Sequence, residues 1–454
     1  MKKTVRGEVT VFLSLVFLLL LSLTGAVLES ASIQVRKNER HADAVRAMES
    51  VFAEYQKELL ESYHIFALDA SYETGNMEEQ NILNRLSFYG AENMDAGISG
   101  IRYLTDQNGK AFYEQAVQYM GYHSEESGTE QLAEEKSRWW EISENTKSYE
   151  KEAYKNELEL KRVLNESGTE VSGEENPIET VSEIKAGKLL NLVLPDTMTL
   201  SQQKARAGML VSSRERREGY GMAGESGPAL SSVFFNLYLT SHFSCAVDGE
   251  ETEGLRYELE YLLKGKESDA ENLEEVVQTL ALLRAVPNYT YLQGDYARKA
   301  EAQAAAAVLG TLLAVPQASE LITQALLLAW SYGEALVDVR TLLSGKKVAL
   351  TKSAETWTLS LAGLTALGAG GSIPEGKDAQ NGFSYERYLQ MLLLLEDRDT
   401  LVMRALDMVE LNLRSRDGLE FFRADNCVSA MEAEFTCSLR RGVEYRFSSR
   451  YGYR

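Results

Sequence analysis

Only three of the 454 residues are cysteine, six are proline and four are histidine. Three cysteines cannot build a disulfide scaffold, and none stands in a C-x-x-C pair, which excludes zinc-finger and thioredoxin-type redox motifs. Six prolines beside 33 glycines favour helices, because a sandwich or barrel would need a turn signal about every 8–12 residues. Basic charge is scarce too: 47 Lys+Arg against 68 Asp+Glu leave a net charge of −21, the opposite of a nucleic-acid footprint, so no nucleic-acid partner is expected. His41, His64, His123 and His242 are far apart and none belongs to an H-E-x-x-H string, so a metalloprotease has no ligand set. No EF-hand loop is present either, and no cofactor is expected. An apolar share of 44% with 25% charged residues is ordinary for a globular chain and excludes wholesale disorder.

The chain does carry one long apolar run. Lys2, Lys3 and Arg6 precede residues 9–28, whose only polar members are Thr10, Ser14, Ser22 and Thr24. About twenty helical residues span roughly 30 Å, the thickness of a bilayer core. The basic residues lie before the run and the next is Arg36, so the positive-inside rule predicts a cytoplasmic N-terminus and an exported remainder. A cleaved signal peptide is the alternative, with Thr24-Gly25-Ala26 or Ser30-Ala31-Ser32 as the small-residue site. The expected division is a cytoplasmic tip at 1–8, a transmembrane helix at 9–28 in contact with lipid, a stalk helix and small α/β part at 29–123, an acidic helix and linker at 124–176, and a helical ectodomain at 177–454.

Beyond the run, Val45, Met48, Phe52, Tyr55, Leu59 and Phe66 are spaced 3, 4, 3, 4 and 7, a heptad-like seam. Such a seam either meets a partner or a second copy of the chain, or packs on the protein's own core. Glu29, at the outer boundary of the run, marks a contact or a depth, or simply meets water. Residues 124–176 hold fifteen Glu against seven Lys+Arg and read as a charged, mostly exposed helix, with a partner-binding coil as the other reading.

The remaining pattern is mainly α with minor β. Residues 98–122 read as a strand, a turn at Asp106-Gln107-Asn108-Gly109 and a helix. Leu255, Tyr257, Leu259 and Tyr261 alternate with charged residues as in a strand. Ser268-Asp269-Ala270-Glu271 is a capping box. The Ala-rich run 300–315 and Leu321–Val339 read as buried helices split by Pro316, and Tyr385–Leu413 as one amphipathic helix. Glu432/Glu434 and Val443/Tyr445/Phe447 alternate around Arg441-Gly442, as in a C-terminal β-hairpin.

Catalytic motifs are incomplete. Gly219-Tyr220-Gly221-Met222-Ala223-Gly224 matches G-x-G-x-x-G, but Arg214-Glu215-Arg216-Arg217-Glu218 precedes it where a nucleotide fold needs an apolar strand, so a flexible loop is expected. Gly371–Lys377 approaches a P-loop but has Asp378 in place of the required hydroxyl. Gly224-Glu225-Ser226-Gly227 is followed by Pro228 and does not complete G-x-S-x-G. Cys427 and Cys437, ten residues apart, either close a disulfide or are buried thiols, with Cys245 left over in both cases.

Several segments together resemble a known family. Gly7-Glu8-Val9-Thr10-Val11-Phe12-Leu13-Ser14-Leu15 and Leu28-Glu29-Ser30-Ala31, then Leu194-Pro195-Asp196, the run Tyr261–Lys266, Val337-Asp338-Val339-Arg340 and Asp425-Asn426-Cys427, resemble membrane proteins of tight-adherence (Tad/Flp) pilus loci in Gram-positive bacteria, TadE/TadG-like in architecture. The resemblance covers almost the whole chain and implies an accessory protein of pilus assembly that acts by protein–protein contact, with no catalysis. It departs from pilin processing, which needs Glu five residues beyond the cleaved glycine: counting from Gly7, that place is Phe12. The expectation is therefore a single-pass anchored protein, not an enzyme, whose partners are lipid, other assembly proteins and its own copies through the stalk. A membrane-anchored binding or sensor module and a cell-wall hydrolase are the rival expectations.

Overall fold

The computed structural model describes residues 5–123, 126–167, 189–205, 207–222, 232–249, 254–312, 314–368, 372–416, 418–439 and 442–453. The protein is mostly helical, with one small antiparallel sheet of four strands. Two compact units divide it: Met1–Gln115 with Arg216–Gly227 and Arg416–Arg454, and Ala116–Glu215 with Pro228–Ser415. The expected boundary near 177 is therefore not where the chain divides, because the last strands fold with the N-terminal residues.

In the first unit, helix α1 (Val5–Phe52) runs unbroken for 48 residues, about 70 Å at 1.5 Å per residue. Its large apolar side chains between Val9 and Leu28 are all exposed, and it is long and apolar enough to cross a membrane. The last turns change character: Ala44, Ala47, Met48, Val51 and Phe52 are buried, an i, i+3, i+4 stripe that needs an apolar partner.

The sheet supplies that partner. Strand β3 (Cys427–Ser438) is central, flanked by β2 (Asp95–Tyr103) on one side and by β4 (Glu444–Gly452) and the two-residue β1 (Leu68–Asp69) on the other. The expected C-terminal hairpin is thus present as β3 and β4. Phe52 lies 4.8 Å from the ring of Tyr451 and 5.2 Å from that of Tyr453, while His41 stands 5.2 Å from Phe447. Lys37 Nζ sits 5.0 Å above the ring of Tyr445. Helix and strand therefore run side by side, joined by aromatic contacts and closed by the Tyr453 hydroxyl donating to the Phe52 carbonyl.

This docking decides between the two readings of the seam in favour of the protein's own core and corrects the stalk. Met48 and Phe52 face the protein's own sheet and Val45 is half-buried. The helix stops at Phe52, Tyr55 lies outside it at 38% exposure, and Leu59 is buried on a separate helix, α2 (Lys57–Tyr63). A coiled stalk needs one continuous helix with an outward stripe; here the stripe is divided between elements and mostly consumed by the core. Glu29 lies on α1, partly exposed.

Of the two readings of Cys427 and Cys437, the disulfide is corrected and the buried thiols hold. Cys427, Cys437 and Cys245 are all free and buried. Cys427 and Cys437 stand at opposite ends of β3, and ten residues of strand extend about 33 Å, far beyond the roughly 5.5–6 Å that a disulfide spans between Cα atoms.

The second unit is helical. The acidic residues form α3 (Glu126–Ser167), which buries Trp139, Tyr149 and Leu160 on one side. The Tyr149 hydroxyl donates to the Leu328 carbonyl, and Trp139 meets Tyr388 edge to face at 5.2 Å. Ser268 caps Asp269–Gly294 through the Glu271 N–H, as the capping box predicts. The long apolar segment becomes the buried helix Ser319–Leu343, whereas Tyr296–Leu312 before it leaves Val308 and Leu312 exposed. Tyr385–Leu413 is two helices, because Asp397 caps a new start by accepting from the Thr400 N–H.

The expected strand at Leu255–Tyr261 is instead the helix Glu258–Lys264. Its alternating charges do not face water: Glu258 and Glu260 are buried and accept from the N–H groups of Ser244 at 2.8 Å and Ala246 at 2.9 Å. Charge alternation mimicked a half-exposed strand while both residue types were headed inward.

Glu260 Oε1 also accepts from the Tyr385 hydroxyl at 2.7 Å, and Oε2 has no partner among the described residues. Burial pushes this carboxyl up to about 7, against the hydrogen bonds that lower it, from the Ala246 N–H, the Tyr385 hydroxyl and its own backbone N–H. A carboxyl whose folded value lies above its unfolded one favours folding below the unfolded value and loses that advantage as pH rises toward the folded one, here between about 4.5 and 7. The ionised form costs about 3 kcal/mol. Glu260→Gln should therefore narrow the stability gap between pH 5 and pH 8 by about 2–3 kcal/mol in urea unfolding; an unchanged gap would contradict the assignment.

Candidate functional site

Within the first unit, β2 ends at Tyr103 and the backbone makes a left-handed turn. Gln107 (φ 52°, ψ 47°), Asn108 (φ 56°, ψ 43°) and Gly109 (φ 75°, ψ 25°) are consecutive left-handed residues, closed by the Gly109 N–H donating to the Thr105 carbonyl at 3.1 Å. Each non-glycine residue in this region costs roughly 1–2 kcal/mol, so the turn must be held from outside. Asp106 holds it: one oxygen accepts from the Tyr103 N–H at 2.8 Å, the other from the Gly219 N–H at 3.1 Å. Burial raises the Asp106 carboxyl above its ordinary value, opposed by those two bonds and by nearby Arg102.

The second wall is the segment 216–222. Tyr220 exchanges two backbone hydrogen bonds with Ile101, at 2.9 and 3.0 Å, adding one bridge to the edge of β2. The approach is so close that side chains would not fit. A Cβ on Gly219 would lie 2.3 Å from Asp106 Oδ2 and from the Ile101 carbonyl, and one on Gly221, at φ +69°, 2.0 Å from the Ser99 carbonyl. The expected flexible loop is therefore a tethered segment whose glycines serve backbone contact with a strand. The Tyr220 hydroxyl donates to Glu79 at 2.7 Å; desolvation, then this bond, push the phenol up to about 12.

Between these walls lies a cavity of about 300 Å³, lined by Arg102, Thr105, Asp106, Arg216, Arg217 and Tyr220 among others. Arg102 Nε donates to Ser429 Oγ at 3.1 Å and Arg217 Nε to Asn426 Oδ1 at 3.0 Å. Both acceptors sit where β3 begins and are themselves fixed: Ser429 Oγ donates to the Arg102 carbonyl, and Asn426 Nδ2 to the Gly75 carbonyl. Thr105 is 3% exposed, and its hydroxyl has no partner among the described residues.

None of the residues expected from sequence as partner contacts or disulfide cysteines lines this cavity. Glu29, Val45, Met48 and Phe52 lie on α1, Tyr55 just beyond it, Leu59 on α2, and Cys427 and Cys437 on β3. The P-loop-like string makes no cradle over its described part: the Gly376 N–H donates to Thr341 Oγ1 and Lys377 to the Glu355 carbonyl. Residues 223–231, with the serine string, as well as Gly371, the greater part of the 165–176 linker and Arg441, lie outside the described residues. Among the described residues no group of three or more metal-capable side chains occurs. The cavity's parts were visible separately, as the Asp106–Gly109 turn and the Gly219–Gly221 string, but more than a hundred residues separate them.

The family described as "Family of unknown function (DUF5702)" matches residues 167–439. No curated protein and no solved structure matches the chain.

Gly221→Ala should destabilise the first unit by more than about 2 kcal/mol, because it combines a backbone clash with a left-handed φ. Hydrogen exchange at residues 99–103 should rise with it. Unchanged exchange and melting would mean that the segment does not hold the edge of β2.

Proposed function

The chain belongs to the DUF5702 family, whose function is unknown, and we propose from the chain itself that it is a single-pass membrane-anchored protein of a Tad/Flp-type surface assembly, acting by protein–protein contact. The observation that carries the anchor is the contrast within α1: its apolar side chains from Val9 to Leu28 are exposed, while its last turns are docked on the sheet. So large a bare apolar surface is unfavourable in water and stable in lipid. Lys2, Lys3 and Arg6 before the span favour an N-terminus held in the cytoplasm, with the remainder outside.

The contact role draws support from α3. Trp140, Tyr154 and Leu158 are 58%, 64% and 50% exposed and fall on one helical face, since spacings of 14 and 4 return to the same side. Exposed Trp and Tyr in one stripe are the side chains that dominate protein interfaces. The sequence resemblance to pilus-locus membrane proteins points to the same class of process.

Protease added outside intact cells should remove everything beyond about Glu29 and leave a short membrane-held fragment. Chain released into the medium with its N-terminus at Val27 or later would overturn the anchor.

A further inference from the structure

We propose that the cavity between the left-handed turn and the Gly219–Gly221 segment binds a phosphate monoester. This inference does not rest on the membrane anchor or on the assembly role.

Charge makes the cavity unusual. The chain carries 68 Asp+Glu, yet among the described residues neither Arg102 nor Arg217 is in ion-pair contact with a carboxylate. Each uses Nε to bind a fixed acceptor, Ser429 Oγ or Asn426 Oδ1. That anchorage orients the guanidinium plane from behind and leaves the terminal nitrogens for another acceptor. Arg216 lines the same space. Of the two acids there, Asp106 is already occupied by the N–H groups of Tyr103 and Gly219, and Glu218, exposed like Arg217, makes no ion pair with either arginine among the described residues. The Thr105 hydroxyl, buried without a partner among the described residues, adds an unmet polar group to the lining.

The donor set selects the ligand. A guanidinium presents parallel N–H pairs that match oxyanions. A carboxylate offers two oxygens and one charge, whereas a phosphate monoester offers three oxygens and close to two charges at neutral pH, the better match to the two guanidiniums of Arg102 and Arg217. About 300 Å³ is at the small end of ligand pockets and exceeds what free phosphate fills, so a small organic group accompanies it, with Ile101, Tyr220 and Met222 as the less polar part of the lining. A net charge of −21 repels anions over most of the surface, so binding here must be local and stereospecific.

Titration calorimetry on the full-length chain in neutral detergent tests this with glycerol 3-phosphate, inorganic phosphate and acetate. Glycerol 3-phosphate should saturate at least about tenfold more tightly than acetate. Inorganic phosphate binding as tightly as the ester would overturn the monoester assignment in favour of the free ion. Arg217→Gln and Arg102→Lys, the second retaining charge but not the fork, should each weaken the ester about tenfold or more with unchanged melting. Thr105→Val checks that the lining folds without its hydroxyl, and its melting should not fall. No saturable binding by the unaltered chain, or equal affinity in both arginine variants, would overturn the proposal.

Discussion

The rest of the first unit depends on the contact between the last three turns of α1 and strand β4. An apolar helix face ending in Met48, Val51 and Phe52 cannot remain bare in water, and the side chains that cover it include Phe447, Tyr451 and Tyr453, nearly four hundred residues further along. Pairing β4 with β3 places those rings, and β3 in turn brings β1 and β2 to their positions. The exposed half of α1 is therefore carried by a helix whose other half is fixed in a folded core.

The cavity is a second consequence of the same strand. The start of β3 supplies Ser429 and Asn426, which hold Arg102 and Arg217. Gly219 and Gly221 allow the segment bearing Arg216 and Arg217 to lie against β2. The left-handed turn is retained because Asp106 ties its backbone to that segment. Strain, close approach and the guanidiniums of Arg102 and Arg217 thus meet at one place, where local backbone cost coincides with a polar cavity.

The apolar run at 9–28, the strand–turn–helix at 98–122, the Ser268 cap and the C-terminal hairpin were legible because each is written in neighbouring residues, by periodicity or by capping chemistry. What failed depended on partners distant in sequence. The Val45–Leu59 spacing showed an apolar face, but not that Phe52 would meet Tyr451. The alternation at 255–261 misled because Glu258 and Glu260 are buried acceptors, a use of charge that looks identical to a solvated face. The Gly219–Gly221 string read as a loop because glycine marks both freedom and close approach, and only Ser99 and Ile101 opposite it decide which. For the cavity, the types of residue were legible and their meeting was not.

The docking of α1 on β4 is tested most directly by a double-mutant cycle of Phe52→Leu and Tyr451→Leu in chemical unfolding. Aromatic pairs in such contact couple by about 0.5–1.5 kcal/mol beyond their separate burial, so the two losses should fail to add by that amount. Losses that add to within about 0.3 kcal/mol would contradict the contact on which this account of the fold rests.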